Sequence, residues 1–355
     1  MKIKISSKIS DYFSKFRNLI LKSITKSDKR PCKFPFEYCE ITYDGKIYPC
    51  CPNYLKIKLN ESIVNKDFDK IWNGEIFTEL RNKILKGDFS MCNKDVCLCY
   101  KPFSPKDLPS DYKNGPKEIK IAYDYECNYS CITCRDKKKV NTQEEIDFYD
   151  NIYLPQILDM AKNAEYISLS GSGDPLYSRH TRHLIKMLVN TYPHLKFNIC
   201  TNGYLLNEKT LNELGILNNL NIISVSLDAA TAETYHKILG KDAFNTVINN
   251  LEEMAKLKKE GKIKRISLNF VIHIINYKEM ADFVELAKRL DARAEFTTYL
   301  PWPWVEYHKQ YNEVAVFEPE NKYYNDFVEI LNNSVFLDKE HCLLEPRLKK
   351  IVGIK

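Results

Sequence analysis

The stretch DYECNYSCITCRD, residues 124–136, decides how the rest of the chain is read. It carries Cys127, Cys131 and Cys134, at gaps of three residues and then two. Three thiols cannot pair off as disulfides, and they fall one ligand short of a closed tetrahedral zinc site. The twelve cysteines of the 355-residue chain are clustered, ten of them before residue 135 and only Cys200 and Cys342 after it. No apolar run is long enough to span a bilayer, and the N-terminus lacks the apolar stretch and small-residue cleavage site of a secretory signal. The expected location is therefore the cytoplasm, where thiols stay reduced and dense cysteines favour metal or redox chemistry over a disulfide framework. A net charge of +6 points only weakly to an acidic partner, and nothing in the sequence points to nucleic acid.

Around this stretch the texture changes twice. Residues 1–30 hold nine Lys or Arg, with Ile5, Ile9, Phe13, Phe16, Ile20 and Ile24 at helical spacing. They predict a basic amphipathic extension, packed on the protein's own body or laid on an anionic membrane surface. Residues 31–103 are cysteine-rich, and EYCEITYDGKIYPCC reads as a hairpin turning at Asp44 and Gly45. Trp72, Phe77 and Leu80 read as core. From about residue 115 to 300 strands alternate with helices: IKIAYDY, YISLSGSG, KFNICTNG, IISVSLDA, RISLNFVIHII and AEFTTYL, separated by helical stretches near 143–163, 180–191, 207–218, 231–260 and 277–290. Residues 301–355 begin with an aromatic cluster, Trp302, Trp304, Tyr307 and Tyr311, that would plug the barrel or stack on a substrate.

Successive side chains of a strand point to opposite faces. One face carries Ile167, Leu169, Phe197, Ile199, Val225, Leu227, Ile266, Leu268 and Phe270, and so meets helices. The other carries Asp124, Ser168, Ser170, Asn198, Cys200, Asn202, Ser224, Ser226, Asp228, Ser267, Asn269, His273, Glu295 and Thr297. A doubly wound sheet would be apolar on both faces. The pattern instead predicts an α/β fold in which a partial (β/α)6 TIM-like barrel encloses a polar lumen, preceded by the small cysteine-rich auxiliary domain. His273 and His341 read as structural histidines.

The spacing C-x3-C-x2-C after the first strand resembles the radical S-adenosylmethionine (SAM) superfamily. So do SGSGDP at 170–175, ICTNG at 199–203 and SVSLD at 224–228, at the next three strand ends. The resemblance implies that Cys127, Cys131 and Cys134 hold three irons of a 4Fe–4S cluster whose fourth iron binds SAM. It also implies that Gly171, Ser172, Gly173, Asp174, Asn202, Ser226 and Asp228 contact that cofactor. Asp174 stands where the family more often has Glu.

The N-terminal cysteines resemble a SPASM-type auxiliary domain placed ahead of the barrel. That resemblance implies a second 4Fe–4S cluster on Cys32, Cys50, Cys92 and Cys97, with Cys39, Cys51 and Cys99 in excess. The implied enzyme takes an electron from a flavodoxin or ferredoxin and cleaves SAM to a 5′-deoxyadenosyl radical. That radical then takes hydrogen from a small polar substrate, a carbohydrate or aminocyclitol, in an oxidation or epimerisation, with Cys200 as a hydrogen donor in the latter. A peptide-modifying maturase is the alternative substrate reading. A zinc-binding interaction module is the alternative of another class.

Overall fold

The computed structural model describes residues 30–57, 59–93, 97, 101–108, 110–135, 137–169, 172–300 and 311–354. The basic extension 1–29, Ser170, Gly171, Cys99, Trp302, Trp304 and Tyr307 lie outside the described residues. The chain forms two compact units, 1–123 with 152–165, and 124–151 with 166–355.

In the first unit, β1 (Tyr38–Thr42) and β2 (Ile47–Tyr48) form the expected antiparallel hairpin. Gly45 turns it at φ +70°, where an added Cβ would lie 2.7 Å from Ser62 Oγ and 2.8 Å from the Tyr153 hydroxyl. Only glycine meets both demands. β1 also pairs in parallel with β3 (Glu118–Ala122), from Tyr38 opposite Glu118 to Thr42 opposite Ala122. The helix Leu154–Ala161 joins the same unit, and Gln156 Oε1 there accepts the Phe68 amide at 3.2 Å. The compact units therefore divide the chain elsewhere than at the expected border near 103–115, because β3 and this helix have their partners among the N-terminal residues.

The helix Glu75–Leu85 is amphipathic and buries Phe77, Leu80, Arg81 and Ile84. Arg81 is 3% exposed, and its hydrogen bonds go to backbone carbonyls. Its guanidinium donates to the carbonyls of Pro35 and Trp72 at 2.8 and 2.7 Å and lies 4.2 Å from the Trp72 ring centroid. Aromatic faces and carbonyl oxygens take the place of a counter-ion.

The second unit holds β4 (Tyr166–Leu169), β5 (Lys196–Thr201), β6 (Leu220–Ser226), β7 (Arg265–Ile272), β8 (Arg293–Thr298) and β9 (Cys342–Leu344), hydrogen-bonded in that order and all parallel. Parallel neighbours need crossovers, which the helices Arg179–Thr191, Glu208–Leu214, Phe244–Lys259 and Met280–Arg289 supply. This is the expected α/β class, a partial (β/α)6 TIM-like barrel, with the cysteine-rich domain on its N-terminal side. All nine residues assigned to the apolar face are buried, whereas Asn198, Cys200, Ser224, Ser226, Asn269 and Glu295 are half-buried. The short strand β9 was not foreseen, since three residues carry too little pattern. The expected helix over 231–260 is broken at Gly240, which takes φ +66°, into Ala232–Leu239 and Phe244–Lys259. The expected helix over 143–163 is interrupted by a π-helical turn, Tyr149–Tyr153, just before Pro155, a residue with no N–H to continue the ladder.

His273, expected on the polar face, is instead fully buried after β7. Its Nδ1 accepts the Ile275 amide at 3.2 Å, and its ring meets Tyr299 edge-on at 6.0 Å. Burial lowers its pKa to about 4. A histidine held neutral in the fold contributes stability that is present above its unfolded pKa of about 6.5 and is lost as pH falls toward about 4. Chemical denaturation of the full chain from pH 7.5 down to 4.5 should show this loss, and His273→Asn, whose amide oxygen replaces the Nδ1 acceptor, should flatten that part of the profile.

Candidate active site

The cysteine loop runs from Asp124 to Asn141, and two buried carboxylates fix its course. Asp124 Oδ1 accepts the Glu126 amide at 3.0 Å and the Asn141 side-chain amide at 2.9 Å. Its Oδ2 accepts the Ser178 and Thr181 hydroxyls, the latter at 2.8 Å. Glu126, 1% exposed, accepts the Asn141 amide at 3.1 Å, the Arg179 amide at 2.9 Å and the Arg179 guanidinium at 3.2 Å. Both acids meet the N-terminal turn of the helix Arg179–Thr191, which Ser178 caps by accepting the Thr181 amide at 3.1 Å. A helix N-terminus presents free N–H groups and a positive dipole end, so it suits two carboxylates. Asp124 thus corrects the expectation of a lumen-facing residue, because both its oxygens are taken by the loop and the helix.

Within the loop, the amides of Cys134 and Arg135 both donate to the Cys131 carbonyl at 3.0 Å. Cys127 donates its amide to the Lys139 carbonyl at 3.0 Å, and its Sγ accepts the Tyr129 amide at 3.5 Å. Burial raises the pKa of the Cys127 and Cys131 thiols, and mutual repulsion with Cys134 adds to it. The three sulfurs therefore lie within electrostatic reach of one another. Among the described residues no three His, Cys, Asp or Glu stand as a single-ion site. A four-iron cube takes one thiolate per corner, further apart than ligands of one ion. Three coupled thiols on one anchored loop fit it.

The strand ends gather around this loop. Asp174 corrects the expectation of a cofactor contact: its Oδ1 accepts the Leu176 and Tyr177 amides at 3.0 and 3.2 Å, and its Oδ2 the Thr201 hydroxyl and Asn202 amide at 2.7 and 2.8 Å. Its own amide donates to the Glu126 carbonyl at 2.9 Å. Buried and fully engaged, it braces the ends of β4 and β5 against the loop. Gly173 is needed for the loop as well, since a Cβ there would lie 2.4 Å from the Glu126 carbonyl oxygen and 2.8 Å from that of Asp124. Asn202 gives its side-chain N–H to Asn128 Oδ1 at 2.8 Å and accepts the Tyr204 amide at 3.0 Å, tying β5 to the cysteine loop. Ser226 is half-buried at the end of β6, opposite Asn269. Asp228 follows at φ +56°, a costly conformation for a non-glycine residue, and accepts the Val271 amide at 2.7 Å. Burial pushes its pKa up to about 7. Cys200 is half-buried, opposite Ser224 and 4.0 Å from the Asn269 amide nitrogen. Glu126, Arg135, Asn141 and Arg179 were missed in the sequence. The charges at positions flanking the outer cysteines were the available signal.

In the first unit Cys32, Cys92 and Cys97 lie within electrostatic reach of Cys50. Burial, and then Cys92, Cys97, Cys32 and Cys51, raise the Cys50 thiol pKa. Isolated bridges between Leu55 and Cys92 and between Cys32 and Pro102 hold two of them. The Cys97 amide bonds to the Asn93 carbonyl at 3.1 Å, and the Asn93 amide to that of Tyr54 at 2.7 Å. Cys32, Cys50, Cys92 and Cys97 offer the four thiolates that a closed cluster takes, with Cys51 a fifth near Cys50. Cys39 is a core thiol, fully buried in β1 opposite Ile119.

Comparison with known proteins agrees with this geometry. The family model of the radical SAM superfamily matches residues 125–287, and that of an iron-sulfur cluster-binding domain, SPASM, matches residues 32–100. Residues 125–287 are thus a radical SAM domain, preceded in the chain by an iron–sulfur SPASM domain. A radical SAM domain implies a 4Fe–4S cluster and SAM, and a SPASM domain implies a further iron–sulfur cluster. A GTP 3′,8-cyclase of Nautilia profundicola is 29% identical over 51% of this chain and 56% of its own length. A GTP 3′,8-cyclase of Synechocystis is 26% identical over 54% and 56%. The chain thus spans about half the length of the curated relatives it matches. A solved methylornithine synthase superposes with a TM-score of 0.41 at 13% identity, covering 67% of this chain and 69% of that one, too distant to argue from.

Glu126→Gln keeps the shape but removes the charge that the Arg179 guanidinium and two backbone N–H groups answer. Retention of iron by the reconstituted protein under chelator challenge should fall by about 10–100-fold, the usual cost of losing support behind metal ligands. Unchanged retention would make the carboxylate dispensable to the loop.

Proposed function

We propose that Cys127, Cys131 and Cys134 hold the SAM-binding cluster, that Cys32, Cys50, Cys92 and Cys97 hold an auxiliary cluster, and that the substrate is a small polar molecule bound on the polar face of β4–β8. The observation that carries this reading is the anchored loop of three coupled thiols at the strand ends. SAM bound there supplies, on reductive cleavage, the radical that abstracts a hydrogen atom. The rest falls to the chain's own residues: Asp124, Glu126 and Asp174 hold the loop, Ser226 and Asp228 lie at the cofactor end of the sheet, and Ser168, Asn198, Cys200, Ser224 and Asn269 face the substrate. An acidic one-electron carrier such as a flavodoxin or ferredoxin is the proposed reductant. Among the described residues no helix is long and apolar enough to cross a membrane.

The substrate class rests on the chemistry of that polar face. Asn198 donates to Ser168 at 3.0 Å, Asn221 to Asn198 at 2.7 Å, and Ser224 to Asn269 at 3.2 Å. Ser267 donates to Glu295 at 2.7 Å, and the Arg293 guanidinium binds the same carboxylate at 3.1 Å. Amides and hydroxyls predominate, and the one arginine among these residues is already neutralised by Glu295. Such a surface suits a hydroxyl-rich substrate, a carbohydrate or aminocyclitol. A triphosphate asks for uncompensated cations. The name of the curated relatives favours a second reading, a purine nucleotide. Measuring substrate-dependent 5′-deoxyadenosine with GTP, with sugars and aminocyclitols, and with peptide extracts separates the three. Stimulation by GTP alone would replace the carbohydrate reading.

Two further outcomes follow from the proposed roles. The triple Ala variant of Cys127, Cys131 and Cys134 should lose SAM cleavage and about half the iron, near eight per chain with two clusters. Unchanged cleavage would refute the assignment. If Cys200 returns hydrogen to a substrate radical, wild-type turnover in D2O should place deuterium at the reacting carbon, and Cys200→Ala should form 5′-deoxyadenosine without inverted product. The thiyl radical left by that donation takes one electron and one proton, the electron from the external carrier. No deuterium in the product, with normal turnover of the variant, would leave Cys200 as packing and the reaction as an oxidation.

A further inference from the structure

Arg135 directly follows the third cysteine of the loop, and its guanidinium, half-buried, reaches three acceptors at once. Nη1 donates to the Tyr125 carbonyl at 2.8 Å, and Nη2 donates to the Ser172 carbonyl and lies 3.5 Å from the Cys134 sulfur. Tyr125 belongs to the run before the first cysteine, and Ser172 to the glycine segment after β4. The two carbonyls thus hold the fork in place, and the nitrogen left facing the sulfur is not free to swing away. Only a planar guanidinium can serve these directions together, since an ammonium on a flexible stem is a point charge.

We propose that Arg135 is a positioning residue that raises the reduction potential of the cluster on Cys127, Cys131 and Cys134, through a fixed, charge-assisted hydrogen bond to the Cys134 thiolate. The inference rests on the cluster assignment above. Reduction adds one electron from the external carrier, with no proton, so the cluster becomes more negative by one charge. A permanent cation held against a ligand sulfur stabilises that reduced state more than the oxidised one, and hydrogen bonds to cluster sulfurs act in the same direction. A residue that merely clamped the loop would need the two carbonyls and not the sulfur.

The test is an anaerobic redox titration of the reconstituted full chain followed by electron paramagnetic resonance, reading the signal that changes when SAM is added, for wild type, Arg135→Gln and Arg135→Lys. Both variants should keep wild-type iron. The Gln midpoint should move clearly to more negative potential, and the Lys midpoint should move less, because charge remains near the sulfur without the fork. A wild-type midpoint in an iron-replete Gln variant overturns the inference. If the Gln variant loses the cluster, Arg135→Lys decides: a midpoint equal to wild type, or loss of the cluster there too, makes Arg135 a scaffold residue and overturns it as well. A wild-type protein with no SAM-responsive signal would fail the cluster assignment itself, which keeps the two failures apart.

Discussion

The cysteine loop depends on buried acid groups whose oxygens are taken up by hydrogen bonds within the protein. A loop presenting three thiols has few apolar contacts of its own, and when ionised the thiols repel one another. Asp124 and Glu126 offset that weakness by turning both carboxylates onto the first turn of the helix Arg179–Thr191, where the Ser178 and Thr181 hydroxyls donate to Asp124 and the Arg179 amide and guanidinium donate to Glu126. Asp174 does the same from the other side, joining the ends of β4 and β5 to the Glu126 carbonyl. Each acid is buried, so each is worth keeping only because its oxygens are satisfied; a half-satisfied version would be worse than an apolar loop.

From that frame the division of labour across the sheet follows. The face of β4–β8 that meets the helices is closed by Ile167, Phe197, Ile199, Val225, Leu268 and Phe270, all buried. The opposite face is left to amides and hydroxyls that bond to one another across neighbouring strands. Such a face keeps its polar groups satisfied without ligand and can exchange those bonds for a substrate's at small cost. At the strand ends the backbone itself is specialised: Gly203 at φ +80° and Asp228 at φ +56° turn the chain where side chains of β5 and β6 must stop. Strain of this kind persists only when its surroundings impose it.

The cysteine-rich unit solves a different problem. A small domain with short strands buries little apolar surface, and it adds to its core cluster of Phe36, Leu80, Ile84, Met91 and Phe103 an arginine set in a box of carbonyls and rings. Arg81 orders Pro35, Trp72 and Tyr112 around one centre. Cys32 sits within that core cluster and Cys92 packs against it, so two proposed cluster ligands are held by the same packing that holds the unit.

The sequence by itself determined what local chemistry and strand period can carry. The spacing of Cys127, Cys131 and Cys134 and the order of the later strand-end motifs were sufficient for the family, because ligand spacing is a property of a short piece of chain. Alternation assigned the apolar face without error, because period two holds wherever a strand is straight. The tertiary structure alone decided what distant groups do to one another. It turned Asp124, Asp174 and His273 inward, because polarity marks a residue as needing partners without saying whether solvent, ligand or protein supplies them. It made β9 a strand and β3 a partner of β1, since pairing is a long-range event that short segments do not announce. And it brought Arg135 against Cys134 with Tyr125 and Ser172 as its other acceptors, because the direction of a guanidinium is set by where the folded backbone places its carbonyls.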